Sequence, residues 1–402
     1  MRNRIRRPRP VGILALAFVF LTGAGARGGE GRWVGTWAAS PQRTEPANMP
    51  PAPGLADATL RQVVHVSLGG SRLRVRFSNA FGAKPLTILS ASVATPTGGA
   101  AIRAESRKPL TFGGRPSVTI PRGAPMVSDP VDFDLAPLAD LAVTVRVKDP
   151  TAAVTGHPGA RCTSYLQGGD AATEPDLPTS ARVPHWYYLC GVDVDAPDPG
   201  AAAVAVLGDS ITDGRGSPTD GNGRWTDHLA RRLHDDERTA RVGVLNQGLG
   251  GNRLLNDGLG PNALARLDRD VLAQPVVRWL IVLEGINDLG TRSATARDVI
   301  GSYEQIVLRA HARGIKVYGA TILPCEGSFY FGAGLEAARQ EVNAWVRAPG
   351  HFDAVIDFDA ATRDPRKPSR LAAAADGGDH LHPGPEGYKT MAGVVDLDLF
   401  GK

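Results

Sequence analysis

The chain has 402 residues, of which 42% are hydrophobic, with 48 glycines, 31 prolines and a formal net charge of +4. Roughly 400 residues is more than one ordinary core accommodates, which predicts two turn-rich domains. Five arginines (Arg2, Arg4, Arg6, Arg7 and Arg9) precede residue 26 with no acid among them, so removing residues 1–26 takes the net charge from +4 to −1. No basic cluster remains, which excludes nucleic acid as the expected partner.

Residues 1–26 read as a signal peptide. A basic start leads into the apolar stretch 11–21, and Ala24-Gly25-Ala26 has the small-residue form of a cleavage site. The apolar run falls short of the ~20 residues that span a bilayer, so no stable membrane anchor is expected. A secreted or periplasmic protein cleaved near Ala26 is predicted, and Arg6-Arg7 permits a twin-arginine route.

Residues 31–195 alternate between polar and apolar in short runs broken by glycine and proline. Residues 61–67 read as a strand, Gly69-Gly70 as a hairpin turn, and 72–77 as the returning strand. Further runs at 86–94, 118–120, 131–135 and 141–147 predict a β-sandwich or jelly-roll-like domain without a long helix. His65, His157 and His185 fall within it and read as structural or surface residues. Cys162 and Cys190 could pair, closing a loop worth about 3 kcal/mol, and Cys325 is left as a small buried apolar residue. No Cys-x-x-Cys or His-x-x-x-His spacing points to a metal.

A proline-rich connector at 195–200 separates this region from residues 201–402, where the period changes. Strands are predicted at 202–207, 242–245, 276–283, 315–323 and 354–358. Helices are predicted at 224–234, 262–272, 295–313, 335–347 and from 385. Strands alternating with helices predict an α/β domain with a parallel sheet covered on both faces.

The loops after these strands carry the chemistry. Gly208-Asp209-Ser210-Ile211-Thr212 ends the first strand, where open α/β sheets place their sites. Ser210 there is either a nucleophile or a helix N-cap. Gly248-Leu249-Gly250-Gly251-Asn252 follows the second strand, Gly285-Ile286-Asn287-Asp288 the third, and Asp379-His380-Leu381-His382 precedes the last helix. Taken singly, the glycine block reads as a tight turn and Asn287-Asp288 as a helix cap. Asp209 and Asp213 read as backbone-bound residues of the serine turn rather than a metal pair. Acyl transfer needs a base for the serine, a carboxylate to orient that base, and donors for the oxyanion. His382 suits the base and Asp379 its orienter, since three residues let the carboxylate fold back under the ring. His380, adjacent to Asp379, is the competing base. Ser210 and Gly251 offer backbone N–H groups and Asn287 a side-chain N–H.

These four blocks, in this order, resemble the SGNH subgroup of GDSL-type esterases and lipases. The resemblance covers nearly all of the second region. It implies a flavodoxin-like three-layer fold with a parallel sheet, a Ser210–His382–Asp379 triad, oxyanion donors Ser210, Gly251 and Asn287, and no metal or organic cofactor. Gly250 stands where many relatives carry a serine. By pattern alone, the first region is similar to the β-rich part of secreted bacterial members. A secreted serine esterase is expected, acting on a small ester or an acylated carbohydrate with short acyl groups such as acetyl. A lipase, an arylesterase or an inactive carbohydrate-binding protein is the alternative. Phe329 and Tyr330, in the segment 324–334, are the candidate substrate-binding residues.

Overall fold

Continuous apolar runs suit parallel strands buried on both faces, and the carboxy-terminal half is built around them. The computed structural model describes residues 32–401 apart from 151 and 197, so the predicted signal peptide lies outside the described residues. Among these, Ala202–Gly208, Val242–Gly248, Val277–Leu283, Lys316–Ala320 and Ala354–Ile356 pair in parallel. Their spatial order is 2-1-3-4-5, the doubly wound order whose switch point lies between strands one and three. Every residue of the central Ala202–Gly208 strand is buried.

Crossovers from strand one to two and from two to three run in opposite directions along the sheet. Right-handedness therefore places their helices on opposite faces. Helix Trp225–Asp235 packs with Pro385–Gly393 on one side, and Ala296–His311 with Ala333–Arg347 on the other. Thr295 starts the longest of these with a capping box shared with Asp298, and Gly314 (φ +69) takes the left-handed turn beyond its end. The predicted helix at 262–272 divides into Ala263–Leu267 and a π-helical turn, Asp268–Leu272.

The amino-terminal half is β-rich, and alternation governs it. Leu73, Val75 and Phe77 are fully buried, and the arginines between them lie on the other face. The hairpin expected here does not form. Strand Ala58–His65 belongs to a seven-stranded antiparallel sheet and Gly70–Ser78 to a five-stranded one. Gly69-Gly70 therefore carries the chain from one sheet to the other. Thr36 holds the crossing, because its carbonyl accepts the Ser67 N–H (3.0 Å) and its Oγ1 accepts the Leu68 N–H (2.6 Å). Gly69 then passes so near Leu135 that a Cβ would lie 2.4 Å from that carbonyl oxygen. Both sheets feed one apolar core, with Leu60 and Val64 from the first and Val75 and Phe77 from the second.

The two halves meet along the outer strand of the parallel sheet. The Val244 N–H donates to Ser67 Oγ (2.9 Å), and strand Arg32–Ala38 lies alongside. Contact is close enough that a Cβ on Gly243 would sit 2.5 Å from the Gly35 carbonyl oxygen. Ala201, Ala203 and Leu245 join the core of the amino-terminal half, and the chain from Arg32 onward forms one compact unit.

The expected disulfide is corrected: Cys162, Cys190 and Cys325 are all free. The Cys162 thiol donates to the Val63 carbonyl in the seven-stranded sheet, and the Cys190 thiol to the Arg76 carbonyl in the five-stranded one. Burial pushes the Cys162 thiol up to about 12 and that of Cys190 to about 11, which keeps both protonated and unreactive. Alkylation of the denatured, unreduced protein should add three labels by mass; a single label would restore the Cys162–Cys190 bond.

Candidate active site

The central strand ends at Gly208, where a Cβ would lie 2.2 Å from Thr212 Oγ1, so the chain can turn tightly there only without a side chain. Asp209 then caps the short helix Ser210–Asp213, its Oδ1 accepting the Ile211 N–H (2.9 Å), and Gly214 (φ +94) ends the turn. Ser210 is the first helical residue, a position whose N–H has no partner within the helix. The capping role considered for Ser210 thus belongs to Asp209.

Ser210 Oγ lies 2.8 Å from His382 Nε2, and His382 Nδ1 lies 2.7 Å from Asp379 Oδ2. The other Asp379 oxygen accepts the N–H groups of Leu381 (3.0 Å) and His382 (2.8 Å). The carboxylate is thus folded back under the ring that it orients. His380 faces elsewhere, its Nδ1 on Asp376. Burial raises the Asp379 carboxyl, but the N–H and ring of His382 outweigh it and hold the group below its ordinary value. Burial lowers His382, and the Asp379 hydrogen bond and charge oppose that only in part.

The other two blocks converge on the same edge. Gly251 adopts φ +67, and its N–H has no hydrogen-bond partner among the described residues. Gly285 (φ +105) starts the helix Ile286–Gly290 that carries Asn287. Asn287 Nδ2 donates to the Asn252 carbonyl (2.9 Å) and, more weakly, to Asp209 Oδ2 (3.3 Å). The longer of these bonds can yield to a developing oxyanion. Tyr330 donates its hydroxyl to Asn287 Oδ1 (3.0 Å), which points the amide nitrogen toward the serine turn. Phe329 packs at a tilt against Tyr330 and is 77% exposed.

Residues 206–390 match the model of the GDSL-like Lipase/Acylhydrolase family. This segment is a GDSL-family hydrolase domain. Three solved structures illustrate the likeness. A GDSL-like lipase from Bacteroides thetaiotaomicron shares 20% identity over 49% of this chain and 87% of its own, with a TM-score of 0.37. A member of the lipolytic G-D-S-L family from Veillonella parvula shares 21% over 50% of this chain and 100% of its own, at 0.40. An inhibitor-bound aryl esterase from M. smegmatis shares 19% over 48% and 95%, at 0.38. No curated protein matches the chain.

Beneath the serine turn of the GDSL domain lies a buried polar network that sequence reading misses. The Arg266 guanidinium, fully buried, donates to the carbonyls of Gly208 (3.0 Å) and Gln247 (2.8 Å), to Asn252 Oδ1 (2.8 Å), and to Ser40 Oγ (2.8 Å) in the amino-terminal half. It also pairs with Asp270 and Glu284, each at 3.2 Å. Glu284, the residue before Gly285, has one carboxyl oxygen without a partner. Burial lifts Asp209 to about 7, and the neighbouring Asp288 and Asp213 charges add to the effect. Burial likewise lifts Asp288 to about 6 and raises Glu284 well above the carboxylate range. Asp288 ties down the segment just beyond the glycine block, accepting the Leu254 N–H at 2.9 Å. Asp213 binds His157 Nε2 (2.8 Å) across the seam between the halves, rather than the backbone of its own turn.

Two pH dependences follow from these shifts. Only neutral His382 can take the serine proton, so activity should fall as pH drops through its depressed pKa. The acid limb of kcat/KM should therefore have its midpoint below the ~6.5 of a free imidazole; a midpoint at or above that value would contradict the burial described. The acidic network acts on stability in the opposite sense. Carboxyls with raised pKa hold more protons in the folded chain than in the unfolded one, so their contribution is lost as pH rises from about 4 through about 7. Thermal melts should show this loss, and Glu284→Gln should flatten it; an unchanged slope would mean that Glu284 is charged throughout.

Proposed function

We propose that the protein is a secreted serine esterase that acts through an acyl-enzyme. The carrying observation is the hydrogen-bonded chain from Ser210 Oγ to His382 and on to Asp379, set on the family-matched loops. Ser210 Oγ attacks the ester carbonyl carbon while its proton passes to His382 Nε2. Asp379 holds the ring in the required tautomer and stabilises the imidazolium. The carbonyl oxygen, now an oxyanion, receives the Ser210 and Gly251 N–H groups and the Asn287 amide. The tetrahedral adduct collapses, the C–O bond to the alcohol breaks, and His382 returns the proton to the departing oxygen. Water then repeats the sequence on the acyl-enzyme, releasing the acid and the free serine. No step calls for a cofactor.

The Tyr330 hydroxyl on Asn287 sets an aromatic ring beside an oxyanion donor, which supports small acyl groups such as acetyl, and a carbohydrate alcohol suits an exported protein. The amino-terminal half is proposed as a sandwich-like partner that shapes the cleft. One observation favours the lipase or arylesterase alternative: Leu259 touches the Gly251 position and is exposed, as are Leu255 and, next to Tyr330, Phe329. Such a surface could accept longer or aromatic acyl groups.

Hydrolysis of p-nitrophenyl esters from acetate to decanoate tests both readings. Ser210→Ala should abolish turnover and labelling by a serine-directed phosphonate. Asn287→Ala should lower kcat about 10²–10³-fold, as expected for one oxyanion donor. Rates falling with chain length support the acetyl esterase, and rates rising support the lipase. Folded protein with neither turnover nor label would overturn the esterase reading.

A further inference from the structure

Two arginines from opposite halves of the chain lie on the segments that flank the serine helix Ser210–Asp213. Arg161 lies on the segment 157–161, which wraps Asp213 so closely that a Cβ on Gly159 would sit 1.7 Å from that carboxylate. It holds a left-handed backbone (φ +50), and its carbonyl is tied to the Asp220 N–H (3.0 Å). Its Nε is buried without a partner, its Nη2 is 4.0 Å from Asp213 Oδ2, and the side chain remains 30% exposed. The nearer interaction of Asp213 is with His157, at 2.8 Å. Arg161 is therefore a half-satisfied cation in a conformation that side chains rarely take.

Arg215 follows the serine turn directly, on the other half of the chain. Its N–H donates to the Ser210 carbonyl (2.9 Å), its carbonyl accepts the Tyr388 hydroxyl (2.6 Å), and the next residue, Gly216, packs on the Pro383 carbonyl beside His382. The backbone is thus clamped between nucleophile and base, while the side chain is exposed and pairs with no carboxylate among the described residues. Of the acids nearby, Asp379 is held by His382 and Asp376 by His380, while Asp213 Oδ2 has no hydrogen-bond partner and faces Arg161 at 4.0 Å. The charge of both guanidiniums reaches the His382 ring, adding to the burial that lowers its pKa.

Position assigns these cations to one end of the substrate. The oxyanion donors face the acyl carbonyl, and His382 Nε2 faces the departing alcohol oxygen, so groups around His382 meet the alcohol moiety. We propose that Arg161 and Arg215 form an anion subsite there, and that the substrate is an ester of an alcohol bearing a carboxylate or similar anion. This rests on the esterase reading above, and an acylated acidic sugar is its carbohydrate form. A planar carboxylate suits the guanidinium fork, and charge-assisted pairs of this kind are the stronger hydrogen bonds.

The test compares phenyl acetate, 3-acetoxybenzoate and 3-acetoxyphenyltrimethylammonium, each normalised to its hydroxide-catalysed rate. Wild type should favour the anion over the neutral ester by about tenfold or more in kcat/KM, mainly through KM, and should disfavour the cation. Arg161→Gln and Arg215→Gln should each shrink that ratio, and Arg215→Lys should restore part of it. Arg215 is exposed, so its variants keep the test valid should Arg161→Gln fail to fold. A wild-type ratio near one, or a ratio unmoved by both substitutions, overturns the subsite while leaving the esterase intact.

A second measurement is independent of turnover. Calorimetric titration of Ser210→Ala with 3-hydroxybenzoate and with phenol should give tighter binding of the anion, weakened by either arginine substitution. If no ester is hydrolysed at all, the esterase reading fails, and this titration alone upholds or overturns the anion site.

Discussion

A single buried guanidinium ties the catalytic edge of the sheet together. Arg266 binds the last carbonyl of the central strand at Gly208, the Gln247 carbonyl near the end of its neighbour, and Glu284 just beyond the third strand. It also fixes Asn252, whose carbonyl in turn holds the Asn287 amide. Three of the four motif blocks are thus positioned through one side chain. The charge sits fully out of water, and a cation with this many partners leaves buried carboxylates uncompensated when removed, a loss of about 3–5 kcal/mol. Burial pushes Asp209, Asp288 and Glu284 toward holding protons, whereas Arg269 and Arg266 hold Asp270 below its ordinary value, so the acids that share this space do not all carry charge.

The amino-terminal half is coupled to this centre at two points. Ser40 joins the Arg266 network directly. His157 and the 157–161 segment close over Asp213, at the end of the serine turn. The helix Ser210–Asp213 is only one turn long, and so short a helix has little stability of its own. Packing from both halves, with Asp209 at its start and Gly214 at its end, supplies what local propensity cannot.

Much of this was legible in the chain. The strand-and-helix alternation gave the parallel sheet because fully buried strands need long apolar runs, and the four blocks sat where those runs stopped. The Asp379-x-x-His382 spacing reads as a fold-back because three residues suffice for one carboxylate to meet both a ring nitrogen and two amides. Arg266 was not legible, since an arginine on a predicted helix ordinarily reads as a solvated residue and its burial depends on five distant partners. The Gly69-Gly70 crossing was read as a hairpin because turn chemistry alone does not say which sheet the next strand joins; Thr36 decides that from thirty residues away. The cysteine pairing failed for a similar reason. Closeness in sequence says nothing about which sheet each thiol faces.

The covered flank of the parallel sheet has a consequence for how the chain can be divided. A strand with free N–H and C=O groups on one side is a template for pairing with other chains. Here Ser67 occupies the Val244 N–H and Arg32–Ala38 lies against the rest. Cut at the proline-rich connector, the carboxy-terminal portion would keep its serine, histidine and aspartate yet expose that flank and the apolar side of Leu245. Its first difficulty would be self-association, well before any question of chemistry. The motifs mark the smallest unit that can be recognised, and the sheet's uncovered border marks the larger unit that can be inherited.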